Sequence, residues 1–300
     1  MKIYIVGGHG FIGRRLIKSL LSSQYTDIEV IDPKPNTENV GAYNHQGVKI
    51  NNVPLNHFTR GLFIHLASNS QHNPTINESK KDLDAFLYTI GAAAMTGSGA
   101  LVASTSAVSG GSTPVALYGR SAEVYSTPFK PHCRIGFMRL YSVYGPSQHD
   151  NFVQRAIKAA ISGSTLTVHN PHYIRDWIHV DDVVRSIVHQ VATYERTGKM
   201  MMVSHIGTGA GLPVSTALAI IRSVTGRPIS VEYGRNITKN EPVVSVAQKS
   251  PPGWSAQILF ESGIRQLWEY ECELSEERER NSRESSDERG PEETPASNDN

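Results

Sequence analysis

The sequence predicts an α/β protein built on a doubly wound parallel sheet, with a smaller C-terminal lobe. Three observations carry this. Short apolar runs alternate with helix-spaced segments along most of the chain, the first run ends in a glycine cluster, and the second ends in Asp32. Strands that alternate with helices are joined by crossovers, so they lie parallel with helices on both faces.

The first run, KIYIVGG, is short, apolar and closed by glycine. FIGRRLIKSLLSSQ has helical spacing at Phe11, Leu16, Leu20 and Leu21, and IEVID is the second strand. GLFIHLAS and GALVASTS read as further buried strands, with a helix around DLDAFLYTIGAAAMTG between them. The stretch from Asp32 to His65 is compact and leaves little room for a full helix. RIGFMRLYSVYG is a strand running into a turn. FVQRAIKAAISG, VDDVVRSIVHQVATYER and VSTALAIIRSVTG are helices, the second opened by Asp181 and Asp182, where capping and dipole effects account for the acids. This order divides the chain into a first domain at 1–145, completed by about 176–206, and a lobe from 146–175 and 207–272.

Gly7, Gly10 and Gly13 form a GxxGxxG turn between the first strand and the first helix. Such spacing permits a tight turn, admits a pyrophosphate to the helix N-terminus at Phe11 and Ile12, and lets helix pack on strand. Asp32 follows at the end of the second strand, where a carboxylate accepts hydrogen bonds from ribose hydroxyls and repels a 2′-phosphate. The pattern points to NAD rather than NADP.

These glycines, with His65-Leu66-Ala67-Ser68, resemble the extended short-chain dehydrogenase/reductase family, in its NAD-dependent epimerase/dehydratase branch with a Rossmann-type fold. Later segments match in order: Ser104-Thr105-Ser106-Ala107-Val108, Tyr118-Gly119-Arg120-Ser121, Arg139-Leu140-Tyr141-Ser142-Val143-Tyr144-Gly145-Pro146, Arg175-Asp176-Trp177-Ile178-His179-Val180-Asp181-Asp182, and Ile206-Gly207-Thr208-Gly209. The resemblance runs from Met1 to about Tyr270. It implies NAD as cofactor, with Leu66, Ala67 and Ser104 beside it, and a nucleotide-diphosphate sugar as substrate. It also implies that Tyr118 is the acid/base, with Thr105 as the partner hydroxyl and Ser104 or Ser106 nearby. Arg175 matches an arginine that contacts the diphosphate, and Ser142 stands where an asparagine often touches substrate. A homodimer through a helix pair is a further expectation.

The sequence departs from this pattern at several places. The lysine four residues after the tyrosine is Ala122, and shifting the frame by one gives Ser121 or Glu123. An unperturbed tyrosine has a pKa near 10, so bringing it near 7 takes about 4 kcal/mol, part of which a neighbouring ammonium supplies. Asp82 occupies the place of a cofactor-contacting asparagine and Ser109 that of a tyrosine. Ser106-Ala107 follow Thr105 where dehydratases of the branch carry Asp-Glu, which leaves epimerisation or plain oxidation and reduction. The alternative is a protein that binds NAD and nucleotide sugar but has lost the chemistry.

Composition sets the remaining bounds. Hydrophobic residues make up 39% of the 300, yet no apolar run approaches the roughly 18–20 needed to cross a bilayer, and glycines soon break the opening stretch. Two cysteines, Cys133 and Cys272, match no metal-ligand spacing and suit a reducing, cytoplasmic setting. His65, His149, His169, His172 and His179 lack paired ligand spacing, so no metal is expected; no aromatic-interleaved basic stripe marks a nucleic-acid binder. Trp177 and Trp254 read as packing residues. Residues 273–300 carry ten acidic and four basic side chains and few apolar ones, and predict a disordered tail that leaves the body net positive.

Overall fold

The computed structural model describes residues 1–35, 43–68, 75–111, 113–148, 150–234 and 242–287. Strand β1 (Ile3–Val6), helix α1 (Phe11–Ser22), strand β2 (Ile28–Asp32) and strand β3 (Tyr43–Gln46) open the chain. Between β3 and β4 (Leu62–His65) lie two short 3-10 turns, Ile50–Asn52 and Leu55–His57, in keeping with the compactness of that stretch. Helix α2 (Ile76–Met95) begins earlier than the apolar pattern predicts, because Thr75 and Glu78 form a capping box that recruits a polar first turn.

Strand β5 (Gly99–Thr105), helix α3 (Pro114–Tyr125) and strand β6 (Arg134–Leu140) follow. The run read as one strand breaks at Tyr141, and its end forms β7 (Ser142–Tyr144) in a different sheet. Then come α4 (Phe152–Ser162), β8 (Leu166–Val168), β9 (Ile174–His179), α5 (Val180–Thr197) and β10 (Val203–Ile206). The chain continues through β11 (Gly211–Pro213), α6 (Val214–Thr225), β12 (Val231–Tyr233), β13 (Val244–Ser245) and α7 (Phe260–Asp287).

Seven strands form one parallel sheet in the order β10-β6-β5-β4-β1-β2-β3. Alternation along β1 divides its side chains between two cores: Ile3 and Ile5 pack beneath Leu16, Ile17 and Ile187 of α1 and α5, while Tyr4 and Val6 face Phe86, Ile90 and Ala122 of α2 and α3. Strand order reverses between β4 and β1, so the carboxyl ends of these two strands frame the crevice where such sheets bind ligands. A third core, with Val153, Trp177, Leu218 and Ile264, holds the second lobe; there Trp177 packs against Phe152 and Phe260. A small sheet of β11, β9 and β13, with β7 on β9, lies beside the large one. Helix α5 and β10 return the chain to the large sheet, whereas β9 does not join it.

Two expectations change. The stretch predicted to be disordered from 273 is helical to Asp287, and residues 288–300 lie outside the described residues. Ile264 and Leu267 are buried in the lobe core and anchor α7, so the Glu/Arg-rich continuation adds turns to a helix already nucleated. At α5 the cap is His179, whose Nδ1 accepts from the Asp181 amide at 3.3 Å. Asp182 is fully buried and accepts from the amides of Gln257 and Ile258, so it anchors the chain before α7.

Candidate functional site

The glycine turn is built for a close backbone approach. Gly7 has φ +86°, and a Cβ there would lie 2.6 Å from the Ala67 nitrogen, beside Leu66. A Cβ on Gly13 would sit 2.5 Å from the Gly8 carbonyl oxygen, so only glycine lets α1 start against the turn. Gly10 differs: a Cβ there would meet nothing within 4 Å except the Gly7 oxygen at 3.3 Å, which leaves room above it. Gly10 is also the N-cap of α1 and supplies no side-chain cap, so the first-turn amides of Phe11, Ile12 and Gly13 look out of the helix end. A phosphate fits that space, because the amides and the helix dipole both favour an anion.

Asp32, 4% exposed, lies beside this turn. Its Oδ2 accepts from the His9 amide at 2.9 Å and its Oδ1 from the Lys34 amide at 2.8 Å. Each oxygen keeps a second acceptor position, so the carboxylate can still receive two ribose hydroxyls. The residues therefore fit a dinucleotide. His65, at the end of β4, is a core residue: Nδ1 pairs with the Thr89 hydroxyl at 2.9 Å, and burial pushes its pKa down to about 4.

Ser104 and Thr105 stand at the carboxyl end of β5, beside Arg139 and Leu140 of β6, whereas Tyr118 stands on α3 and turns toward Asp82 of α2. Thr105 accepts from the Ala107 amide at 3.2 Å and so caps the 3-10 turn Ser106–Ser109. Helix α3 comes close to this turn at Gly119, where a Cβ would lie 2.6 Å from Val108 Cγ2 and 3.4 Å from Ser104 Oγ. Arg120 ties the loop down by donating to the carbonyls of Gly111 at 2.7 Å and Val108 at 3.2 Å. On the neighbouring face of α3, the Tyr118 hydroxyl donates to the Asp82 carbonyl over a long 3.5 Å. Burial, and then the Asp82 carboxylate, push its pKa well above the usual tyrosine value.

The lysine position is occupied by a core residue. Ala122 is 4% exposed and belongs to the apolar cluster with Phe86 and Phe137. One residue on, Glu123 receives Arg139 Nε at 3.0 Å and Nη2 at 2.6 Å, and also the Ser104 hydroxyl at 3.3 Å. Sequence reasoning missed this pair and Arg120. The sequence carried no signal for them, because the register that sets Ser104 beside Arg139 belongs to the folded β5–β6 pair.

On the lobe side, Arg175 of β9 donates to the carbonyls of Pro242 at 3.0 Å and Val243 at 3.3 Å and lies 4.9 Å from the Tyr173 ring centre. Asp176, fully buried, accepts from the Thr208 amide and hydroxyl, the Gly209 amide and the Ala247 amide, which fixes the Ile206–Gly209 turn. Ser245 pairs with Arg175 across the small sheet and donates to Ser106 at 3.3 Å, so one strand links the arginine to the serine cluster. Ser142 lies half-buried in β7 opposite Trp177. Among the described residues no cluster of three or more His, Cys, Asp or Glu could hold a metal ion; His149 lies outside them. No described helix is long and apolar enough to cross a membrane.

A family model for the NAD dependent epimerase/dehydratase family matches residues 3–204. The low-salt glycan biosynthesis protein Agl12 of Haloferax volcanii is 25% identical over 132 residues, which is 42% of this chain and 41% of that protein. The chain thus matches less than half the length of that curated relative. Among solved structures, MoeE5 in complex with UDP-glucuronic acid and NAD superposes with a TM-score of 0.81 at 23% identity, covering 91% of this chain and 100% of MoeE5. A UDP-N-acetylglucosamine 4-epimerase from Methanobrevibacter ruminantium M1, in complex with UDP-N-acetylmuramic acid, gives 0.79 at 18% identity over 91% and 98% of the two chains. The NAD-dependent NDP-hexosamine 5,6-dehydratase TunA gives 0.75 at 20% identity with the same coverage. At these identities the structural likeness establishes the fold.

Proposed function

Because the chain belongs to the NAD-dependent epimerase/dehydratase family, we propose that it holds NAD on the β1–α1 turn and modifies a nucleotide-diphosphate sugar by epimerisation or a related oxidation and reduction. The observation that carries this is the open space above Gly10, bounded by an uncapped helix end and a buried Asp32 carboxylate. The first-turn amides would take the pyrophosphate and Asp32 the adenosine ribose, with Leu66, Ala67 and Ser104 alongside. NAD, when bound, accepts and returns a hydride at the sugar carbon. Arg175 would hold the nucleotide diphosphate between the two lobes, as a bidentate guanidinium–phosphate pair allows, and Ser142 would contact the substrate. Tyr118 would move the hydroxyl proton, with the Thr105 hydroxyl sharing it.

A second reading, binding without turnover, is favoured by one specific observation. Tyr118 sits beside the Asp82 carboxylate, and the helix position one turn on is the apolar, buried Ala122. An anion beside a phenol keeps the proton on it. A tyrosine in that state donates a hydrogen bond readily and accepts a proton poorly.

The test is incubation of the purified protein and NAD with UDP-, GDP-, dTDP- and CDP-sugars, read by NMR of the sugar and absorbance of NADH. A changed sugar supports the enzyme. No change, with NAD binding measured separately, favours the binding protein. We further propose a homodimer through α2 and α3, whose surface leaves Met95, Leu117, Val124 and Tyr125 exposed, to be checked by light scattering. The free thiols of Cys133 and Cys272 suit a cytoplasmic setting.

A further inference from the structure

We propose that His9 governs how tightly and how selectively the cofactor's adenosine ribose is held, acting through Lys34 and Asp32 as a positioning residue. This rests on the reading that Asp32 receives that ribose.

His9 is the one side chain larger than hydrogen among Gly7, Gly8, His9 and Gly10, and it is 7% exposed. Its main-chain N–H donates to Asp32 Oδ2 at 2.9 Å, and its Nδ1 lies 2.8 Å from the Lys34 carbonyl oxygen. A carbonyl can only accept, so this nitrogen carries the proton and donates. Lys34 in turn donates its own N–H to Asp32 Oδ1 at 2.8 Å. Three hydrogen bonds thus close a ring through His9, Asp32 and Lys34, tying the β1–α1 turn to the chain that leaves β2. Two of them are made by the backbone. The third depends on the imidazole.

The ring fixes both oxygens of Asp32 before any ligand arrives. A carboxylate already held in its bound orientation loses less freedom when it receives a ribose, so binding is tighter. Selectivity follows from the same restraint. A fixed carboxylate cannot swing away from a 2′-phosphate, so the phosphate meets its full charge. Cutting the imidazole bond releases the Lys34 carbonyl, and with it the segment that delivers one of the two N–H groups to Asp32.

The experiment measures NAD and NADP dissociation constants by calorimetry for the full chain and two variants. His9→Phe keeps a ring and loses the donor; His9→Asn loses the ring and keeps a donor at the distance of Nδ1 from the backbone. The loss of one hydrogen bond to a positioned group predicts NAD binding weakened about three- to tenfold in His9→Phe, with the NAD-over-NADP preference narrowed, and His9→Asn within about twofold of wild type. If the phenyl ring unfolds the protein, His9→Ala takes its place. NAD binding to His9→Phe as tight as wild type overturns the inference alone. So does His9→Asn as weak as His9→Phe, which would mean that the imidazole itself meets the cofactor. An Asp32→Ala variant that binds NAD as tightly as wild type overturns the ribose reading, and this inference with it.

Discussion

Glu123 and Arg139 face each other across α3 and β6 in a two-pronged ion pair, at 3.0 and 2.6 Å, one residue past the position where an NAD-dependent epimerase would carry its lysine. Each side chain is less than a fifth exposed. The pair therefore counts as a structural tie between helix and sheet, and not as a solvated surface contact worth little.

Glu123→Ala strands the Arg139 guanidinium with the weaker Ser109 contact at 3.4 Å. Hydrogen bonds to charged groups are worth about 1.5–3 kcal/mol, so the variant should lose roughly that much stability. Urea unfolding followed by circular dichroism reads it. A midpoint equal to wild type would show that solvent already screens the pair.

Ala122→Lys places an ammonium four residues from Tyr118, on the same helix face. Its Cβ starts in the apolar cluster, so the stem must find room against Phe86 and Phe137, at a cost of about 1–3 kcal/mol. A cation there opposes Asp82 and lowers the Tyr118 pKa. The expected result is a less stable protein whose turnover of a responsive nucleotide sugar rises at least about tenfold, a fraction of the roughly 10²–10⁴ that a well-placed acid/base group supplies. Lower stability with unchanged turnover would favour the binding reading.

The contrast between these residues and the glycine turn explains what was legible in the sequence. Gly7, Gly13 and Asp32 answer to local demands, a positive φ, a helix starting against backbone and a strand end, and local demands leave marks in sequence. The rotation of α3 about its axis does not. It is set by the contact of Gly119 with Val108, and it decides that Ala122 enters the core while Glu123 turns toward Ser104 and Arg139. Composition misled at the C-terminus for a related reason. Residues after 273 cannot bury surface themselves, yet they extend a helix whose nucleus, at Ile264 and Leu267, is packed elsewhere.

Removal of residues 276–300 tests that account. Those described from 276 to 281 are exposed, so deleting them takes away helix length and little buried surface. The truncated chain should unfold within about 0.5 kcal/mol of the full one, as surface changes usually do. A loss of several kcal/mol would show that this part of α7 contributes to the lobe core.

His65 predicts a pH dependence with a definite sign. In the unfolded chain its imidazole takes a proton near pH 6.5, whereas burial in the native state lowers that to about 4. Between these values the unfolded state binds more protons, so the contribution of neutral His65 is fully present above 6.5 and is lost as pH falls toward 4. At 1.36 kcal/mol per unit, the whole window is worth up to about 3 kcal/mol. His65→Gln keeps an amide that can pair with the Thr89 hydroxyl and has nothing to titrate. Urea midpoints at pH 7, 6 and 5 should therefore fall more steeply for wild type than for His65→Gln. Parallel lines would mean that the buried ring accepts its proton as readily as an exposed one, and that the pocket around β4 and α2 opens to water at mild acidity.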